Sequence, residues 1–484
     1  MKHLLIPIIV LFTSCSRYEP QNAELVDKLP QIYPDYTFVT VPANIAPLNF
    51  QSCDSSTQAI SVTFKGKNSE LTCSAQQCID INIAKWHKLL SCNIGDSLSV
   101  SVSLLKNDKW LTFNSFSIYV SPDSIDYGVH YRLIAPGYGF FSEMGLYERN
   151  ISNFDVDVIY PGSQIEGGCM NCHTSNHCNT LFSSTHYRGE HGATVIRRGD
   201  NYEAFNLKPT SSDLPCVYTY WHPSGRFVVY SQNATKQVYF MIHKKKLEVY
   251  DDASDIAILD INNSQLITSP LVKTDWYETD PTFSPDGKTM YYTSSAPCNL
   301  PSETEKAKYV LCSISFDDSA GVFGQAVDTL IDLRNQGKSI AWSRPSYCGK
   351  YILFTMTDYG QFSIWHPESD LWLFNLETKE MHPLTLANSN DADSFHNWSS
   401  NSRWIVFTSR RDDGYFSLLY IAHIDENGNA AKAFALPQRN PRQHYDEELK
   451  SYNMPDFCVA PTRYNTNLVE SMVYGNRRNN VTYK

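Results

Sequence analysis

The residues Cys169-Met170-Asn171-Cys172-His173 have the types and the spacing to hold a cofactor. Two thiols three positions apart can add across the vinyl groups of a haem, and an imidazole directly after the second thiol can ligate its iron. The motif therefore predicts one haem c, attached through Cys169 and Cys172, with His173 as the proximal iron ligand.

Two other chemistries use the same residues. In an oxidising compartment Cys169 and Cys172 could instead form a disulfide that only braces the loop. His177 and Cys178 follow closely, so a zinc site of three cysteines and one histidine is a third interpretation. The histidine directly after the second cysteine favours haem over both.

A distal iron ligand is expected at His191 or His186, because His177 is too close in sequence to reach across the ring. Elsewhere the chain has no Gly-x-Ser-x-Gly elbow, no phosphate-binding glycine loop and no His-Glu-x-x-His. No catalytic residue is predicted, so enzyme activity is not expected. Acidic residues near the starts of the repeats are expected mostly at solvated edges, with channel-facing positions as the alternative: Glu278, Asp280, Asp391 and Asp393.

The N-terminus reads as an export signal. Lys2 and His3 precede an apolar run from Leu4 to Phe12, which is far shorter than the ~20 residues that span a bilayer. Leu11 to Cys15 resembles the lipobox of bacterial lipoproteins. The resemblance implies a signal peptide over 1–14, lipidation of Cys15 and a tether over 15–29, with the protein in the cell envelope on the outer membrane facing the periplasm. The alternative is a cleaved signal that also removes Cys15.

Composition narrows the choice of partners. The 484 residues are 42% hydrophobic and 19% charged, which is ordinary for folded domains. The net charge of −11 and the lack of a basic cluster exclude a large nucleic-acid interface, because backbone phosphates require one. We expect a membrane contact through the N-terminal lipid and a protein partner at one face of the fold.

Residues 30–122 alternate between apolar and polar side chains, most clearly from Leu98 to Leu104. Several short strands within about 90 residues predict an immunoglobulin-like β-sandwich, with Trp86 and Trp110 in its core. Four cysteines in this region could form one or two disulfides: Cys53, Cys73, Cys78 and Cys92.

Beyond residue 122 the chain repeats. Four turns, each followed by an apolar strand, align on Gly225, Gly287, Gly349 and Ser402, which are 62, 62 and 53 residues apart. Each unit holds further strands, and four antiparallel strands repeated radially make a β-propeller. Strand-like segments before the first turn extend the repeat to six blades over 123–455. Residues 161–191, which carry the haem motif, are expected as an insertion, and 456–484 as a C-terminal tail that is partly disordered.

The turn from Ser284 to Lys288 resembles the TolB-type propeller repeat. Taken whole, the chain resembles a family of Gram-negative lipoproteins with a β-rich domain, a TolB-like propeller and one Cys-x-x-Cys-His; more distantly it resembles the haem-containing propeller subunit of hydrazine synthase. The resemblance rests on Cys169 to His173, the repeat turns and Trp398 to Trp404.

Two functions follow for this all-β chain. The first is an exported c-type haem-binding propeller lipoprotein for electron transfer or redox sensing with a docked partner. The second is a redox-inert TolB-like propeller that binds a protein or a glycan and uses its Cys-x-x-Cys only as a disulfide.

Overall fold

The computed structural model describes residues 18–135, 144–165, 169–188, 191–210, 213–241, 245–475 and 477–484. Within these ranges the chain is nearly all β, with 35 strands and three α-helices. The predicted signal peptide and Cys15 lie outside the described residues. No helix in the described part of the chain is long and apolar enough to cross a membrane.

The N-terminal domain contains nine strands and one helix. They are β1 Glu24–Val26, β2 Ile32–Tyr33, β3 Thr40–Pro42, β4 Gln51–Ser52, β5 Ala59–Lys65, β6 Glu70–Ala75, α1 Ile83–Ser91, β7 Ser97–Lys106, β8 Lys109–Phe113 and β9 Phe116–Ser121. Seven of the strands form one connected sheet in which β7 pairs with β5, β8 and β9, while β2 pairs only with β4. Hydrogen bonding therefore links these strands into one seven-stranded sheet and one two-stranded sheet.

Helix α1 covers this sheet. The side chain of Asn82 caps its first turn by accepting a hydrogen bond from the backbone N–H of Lys85. Trp86 is fully buried, whereas Trp110 is only half-buried, so one of the two predicted core tryptophans is confirmed. The four cysteines of this domain are free thiols.

The remaining strands follow in chain order. The first ten are β10 Gly128–Ile134, β11 Gly145–Asn150, β12 Val156–Pro161, β13 Cys169–Asn176, β14 Asn179–Arg188, β15 Ala193–Arg198, β16 Asn201–Asn206, β17 Cys216–Trp221, β18 Phe227–Tyr239 and β19 Leu247–Asp260. The next nine are β20 Gln265–Ile267, β21 Tyr277–Phe283, β22 Thr289–Ser295, β23 Val310–Asp317, β24 Val322–Ile331, β25 Ser339–Pro345, β26 Tyr351–Thr357, β27 Asp370–Asn375 and β28 Met381–Pro383. The last are β29 Asp393–Trp398, β30 Trp404–Ser409, β31 Leu418–His423, β32 Phe434–Ala435, α2 Pro441–Glu448, β33 Ser451–Cys458, α3 Thr466–Tyr474, β34 Asn479–Asn480 and β35 Thr482–Tyr483.

These strands form six sheets arranged as in a propeller. Sheet 1 has the order β12-β11-β10-β33, and sheets 2 to 6 begin with β13, β17, β21, β25 and β29 and add the next three strands in sequence. The first-mentioned strands of sheets 2 to 6 and β33 contact one another in a closed ring, so we call these six the inner strands. The C-terminal β33 thus completes a sheet that begins more than 300 residues earlier.

The predicted repeat turns lie between the first and second strands of sheets 3 to 6. Gly225, Gly287 and Gly349 have φ of +70°, +74° and +75°, and Ser402 adopts the same left-handed conformation with φ of +59°. In the Ser284–Lys288 turn, Asp286 accepts hydrogen bonds from Ser284 Oγ at 2.6 Å and from the N–H of Lys288 at 3.0 Å. The turn at Ser402 therefore keeps the backbone conformation of the other three turns, although serine replaces glycine there.

Two predicted boundaries were wrong. Residues 161–191 are not an insertion, because they supply β13 and β14, the first two strands of sheet 2. The segment 456–484 is not a detached tail either: the end of β33 pairs with β10, α3 packs on sheet 2, and β34 and β35 add parallel edge strands to sheets 2 and 3. The first segment pairs with the strand that follows it, β15, whereas the C-terminal segment pairs with strands that are distant in sequence.

The N-terminal domain and sheet 6 share one hydrophobic core. Val62, Phe64 and Trp86 belong to the same buried cluster as Trp404 and Phe434. Asn49 Nδ2 donates to the carbonyl oxygen of Arg439 at 2.9 Å, across the same junction.

Candidate functional site

The inner strands share a backbone irregularity that turns side chains toward the centre of the ring. In sheets 1 and 3 to 6 the inner strand has one extra residue opposite its neighbour, and the residue at that bulge has positive φ. These residues are Tyr218, Asp280, Trp342, Phe395 and Met454, with φ of +46° to +56°.

The Cys-x-x-Cys-His motif lies at the equivalent bulge of sheet 2. The register of β13 against β14 shifts between Met170 and Cys172, inside the motif. His173 consequently occupies the position that Tyr220, Arg344, Asn397 and Asp456 occupy on other inner strands, two residues beyond the bulge. We call these five side chains the channel ring.

The channel ring is polar and almost closed to solvent. It lines a cavity of only about 20 Å³ together with Trp342 and His396. Asp456 accepts hydrogen bonds from Asn397 Nδ2 at 2.9 Å and from the N–H of Ser175 at 3.1 Å. The Arg344 guanidinium lies 5.6 Å from the centre of the Tyr220 ring.

His173 has no hydrogen-bond partner on either ring nitrogen within the described structure. Burial, together with the nearby His130 and Arg132, holds its pKa well below the usual range. His396, whose Nε2 donates to the carbonyl oxygen of Leu353 at 3.1 Å, has its pKa lowered to about 3 by burial and by Arg344. Both imidazoles are therefore neutral at physiological pH.

Cys172 faces a different cavity from His173. Its thiol lines a space of about 80 Å³ with Arg132, Tyr218, Trp342 and Asn453. This space shares Trp342 with the cavity of the channel ring and Thr235 with a cavity of about 390 Å³ nearer the surface. We call this last space the rim cavity.

The rim cavity lies between sheets 2 and 3. Buried Tyr187, Phe205 and Cys216 supply apolar surface, and polar groups surround them: His186, Thr194, Asn206, Lys208, Asn233 and Thr235. A volume of this size falls in the range of small-molecule sites, about 300–1,000 Å³.

The described side chains of Cys172 and His173 are not arranged to hold one haem between them. Cys172 and His173 are consecutive residues of a strand, and their side chains line different cavities. The space beside His173 is about 20 Å³, which holds about one water molecule and is far too small for a haem macrocycle. The side chain of Cys169 lies outside the described part of the structure, and we assign no step to haem.

The geometry also bears on the two alternative interpretations of the motif, a disulfide and a zinc site. Cys172 is a free thiol. His177 and Cys178 form the turn after β13, so Cys178 is six residues from Cys172 along the chain. The Cys178 Sγ atom lies 3.5 Å from the carbonyl oxygen of Trp398. The alternative zinc site is not assembled among the described side chains, because a strand advances about 3.3 Å per residue.

Neither predicted distal histidine faces His173. His186 Nδ1 lies 3.0 Å from Thr194 Oγ1 in the rim cavity. The His191 ring packs edge-on against Tyr474 with centroids 4.8 Å apart. His186 is paired in register with Cys172, which places it beside the motif but on the second strand.

Three of the four acidic residues are buried rather than solvated: Glu278, Asp280 and Asp393. Burial raises the pKa of Glu278 and of Asp280 to about 7 each, although Arg344 opposes the shift at Asp280. Asp280 is the bulge residue of sheet 4, and its Oδ2 accepts from the N–H of Trp342 at 3.4 Å. The sequence signal for these positions was their place at the start of each inner strand.

No protein-family model matches the chain, and no characterised protein sequence matches it. Among solved structures, the chain is similar to a hypothetical selenium-binding protein from Sulfolobus tokodaii, with 9% identity and a TM-score of 0.43 over 86% of this chain and 96% of that one. It is also similar to prolyl oligopeptidase B from Galerina marginata, with 10% identity and a TM-score of 0.36 over 81% of this chain and 54% of that one. A puromycin-hydrolysing peptidase of Mycobacterium tuberculosis matches with 9% identity and a TM-score of 0.34 over 83% and 57%. At these scores the similarity says nothing about activity.

The wild-type protein should carry no covalent haem, even when it is made in a host that matures c-type cytochromes. The physical reason is the 20 Å³ space around His173. Acid-acetone extraction followed by absorbance at the Soret band measures this directly, since thioether-bound haem survives the extraction. A Soret band that stays with wild-type protein and is lost in Cys172→Ser would contradict the geometry described above.

Asp280→Asn should reduce the decline in stability between pH 5 and 8. The folded protein holds a proton on Asp280, with its pKa of about 7, whereas an unfolded chain releases it near pH 4. The free energy of unfolding therefore falls as the pH rises through this range, and the amide removes the part of that fall that Asp280 contributes. Glu278, whose pKa burial also raises to about 7, keeps its own contribution in the variant. We expect the variant to exceed the wild type at pH 8 by about 1–2 kcal/mol, measured by chemical denaturation.

Asp286→Asn is the matched control. Its hydrogen bond from Ser284 lowers the pKa of Asp286, so the carboxyl is ionised throughout this range and the variant should keep the wild-type decline. An unchanged slope in Asp280→Asn would show that this carboxyl is ionised in the folded protein.

Proposed function

We propose that the protein is an exported binding propeller whose rim cavity takes a small hydroxyl-rich ligand such as a saccharide unit. The observation that carries this proposal is the rim cavity itself, of about 390 Å³, which combines a buried apolar floor with polar walls. Binding requires no general base or nucleophile, which agrees with the absence of such motifs from the sequence.

A second large space, of about 470 Å³, is a weaker candidate. It lies between the N-terminal domain and the start of helix α2, and most of its lining residues are exposed, among them Asp54, Gln76, Arg442 and Gln443. It has no buried apolar floor against which a ligand could lose its water, so it is a surface groove.

The charge of the rim cavity limits its ligand. Lys208 is the cation at its edge, and none of the described residues that line it is acidic. Thr194, Asn206 and Thr235 offer hydroxyl and amide groups, which can both donate and accept. This combination favours a neutral or anionic ligand with several hydroxyl groups over a cationic one.

The motif has a supporting role in this proposal. Cys172 lines the cavity directly inside the rim cavity, and His173 lines the one beyond it. The two residues therefore belong to the polar interior behind the ligand. Electron transfer through haem, the other predicted function, has no such support from the cavities.

The architecture and the cellular location of the protein are also part of the proposal. We propose six blades, formed by the six sheets, behind an immunoglobulin-like N-terminal domain. We further propose that Cys15 is lipidated, that the lipid holds the protein in the cell envelope on the outer membrane facing the periplasm, and that a protein partner docks on one propeller face.

Sugars that occupy the rim cavity should raise the melting temperature of the full chain. At concentrations near 100 times the dissociation constant we expect a rise of about 3–5 °C, because binding to the folded state alone stabilises it by about 2.7 kcal/mol. The probes are glucose, galactose and N-acetylglucosamine, with glucuronic and galacturonic acids as their acidic counterparts. Asn206→Trp fills the cavity and should abolish every shift, while Lys208→Glu should weaken only the acids, by about tenfold.

Gln76→Trp is the matched control, because it places the same bulk in the surface groove of about 470 Å³. It should leave the shifts unchanged. If no probe shifts the wild type, or if the shift survives in Asn206→Trp, the rim cavity is not the ligand site.

Cys15→Ala should release the protein from membranes. An acylated cysteine contributes about 0.8 kcal/mol per buried methylene, so its loss removes stable anchoring. Fractionation should find the wild type with membranes and the variant in the soluble fraction. Cys53→Ala, in the folded N-terminal domain, should fractionate as the wild type does; equal distribution of wild type and Cys15→Ala would refute the anchor.

A further inference from the structure

Three side chains with metal-binding atoms converge in sheet 1, outside the linings of the channel-ring cavity and the rim cavity. They are His130 on β10, Glu148 on β11 and Cys458 on β33. Their nearest ligand atoms all lie within 4.8 Å of one another, and their residue exposures are 4%, 2% and 0%.

Strand pairing explains why the three side chains meet. His130 and Glu148 are direct cross-strand partners, so they share one face of the sheet. Cys458 is paired with Gly128, two positions from His130 and therefore on the same face. A Cβ on Gly128 would lie 3.0 Å from the Cys458 sulfur and 2.8 Å from a backbone oxygen, so glycine leaves the space that the thiol occupies.

The distances suit a small tetrahedral ion. His130 Nε2 lies 2.9 Å from Glu148 Oε2, and Cys458 Sγ lies 3.8 Å from the same oxygen. In a tetrahedral zinc site, bonds of about 2.0–2.3 Å hold such atoms about 3.2–3.8 Å apart. Movements of a few tenths of an ångström would therefore suffice for these two pairs.

Thr462 closes the cluster. Its Oγ1 lies 2.7 Å from His130 Nε2, and its N–H donates to Glu148 Oε2 at 2.8 Å. A fourth ligand, most simply a water held by Thr462, would complete the coordination.

Charge also favours a cation here. Among the described ion pairs, the partner of buried Glu148 is His130, which is charged only when it is protonated. A buried carboxylate without a firm counter-charge is costly. A divalent ion bound by one carboxylate, one thiolate and a neutral imidazole makes the group neutral, and the Cys458 proton passes to solvent on binding.

We propose that His130, Glu148 and Cys458 bind one zinc ion that fastens the C-terminal strand β33 to β10 and β11. The mixture of nitrogen, oxygen and sulfur ligands favours Zn²⁺ over Mg²⁺ or Ca²⁺, which prefer oxygen alone. Because β33 completes sheet 1, the ion would stabilise closure of the ring. The proposal does not depend on the rim cavity or on its ligand.

Metal-stripped full-length protein tests the proposal. Adding ZnCl₂ should restore one bound zinc per chain by elemental analysis and raise the melting temperature by about 5 °C. CoCl₂ should produce a thiolate-to-cobalt charge-transfer band in the near ultraviolet. Cys458→Ala should lose the band and the rise in melting temperature.

Cys312→Ala is the matched control, because Cys312 is another buried free cysteine, in sheet 4. It should keep both signals. Glu148→Gln preserves the size of the side chain and serves if Cys458→Ala does not fold; it should bind zinc at least tenfold more weakly. A wild type that binds no zinc, or a cobalt band that persists in Cys458→Ala, overturns the proposal.

Discussion

The antiparallel pairing of β33 with β10 is the contact on which the rest of the molecule depends. It joins residues 451–458 to residues 128–134 and so closes the ring of inner strands. Arg132 and Asn453, which face each other across this pair, are also joined by a side-chain hydrogen bond of 2.6 Å. Closure removes the exposed edge that an incomplete sheet 1 would present. The loop entropy of joining such distant segments is modest, since it grows only logarithmically with length.

The closed ring makes the interior of the molecule polar. A bulge in each inner strand turns side chains toward the centre. The side chains of the channel ring are polar, unlike those of a packed apolar core. Burial then keeps the imidazoles of His173 and His396 neutral and raises the pKa of Asp280 to about 7. The Arg344 guanidinium lowers the pKa of His396 and opposes the rise in the pKa of Asp280.

The same geometry separates the side chains of Cys172 and His173, which the sequence places together in one motif. Cys172 and His173 are neighbours in the chain, yet their side chains enter different cavities because the strand alternates. The space large enough for an organic ligand lies farther out, between sheets 2 and 3. The zinc ligands lie on sheet 1, next to the strand that closes the ring. The proposed ligand cavity and the proposed zinc ligands therefore lie on different sheets.

The sequence by itself determined the local features of this protein. Alternating strands, the repeat turns at Gly225, Gly287 and Gly349, and the nearly all-β fold follow from side-chain period and from residues that tolerate left-handed backbone. The tertiary structure decided which residues meet. Residues 161–191 lack the repeat turn and resembled an insertion, but pairing with β15 made them part of a sheet. His130, Glu148 and Cys458 carry no motif, because residues up to 328 positions apart converge only through strand register and ring closure. Local patterns encode strands and turns, whereas the register of distant strands decides which faces and cavities they share.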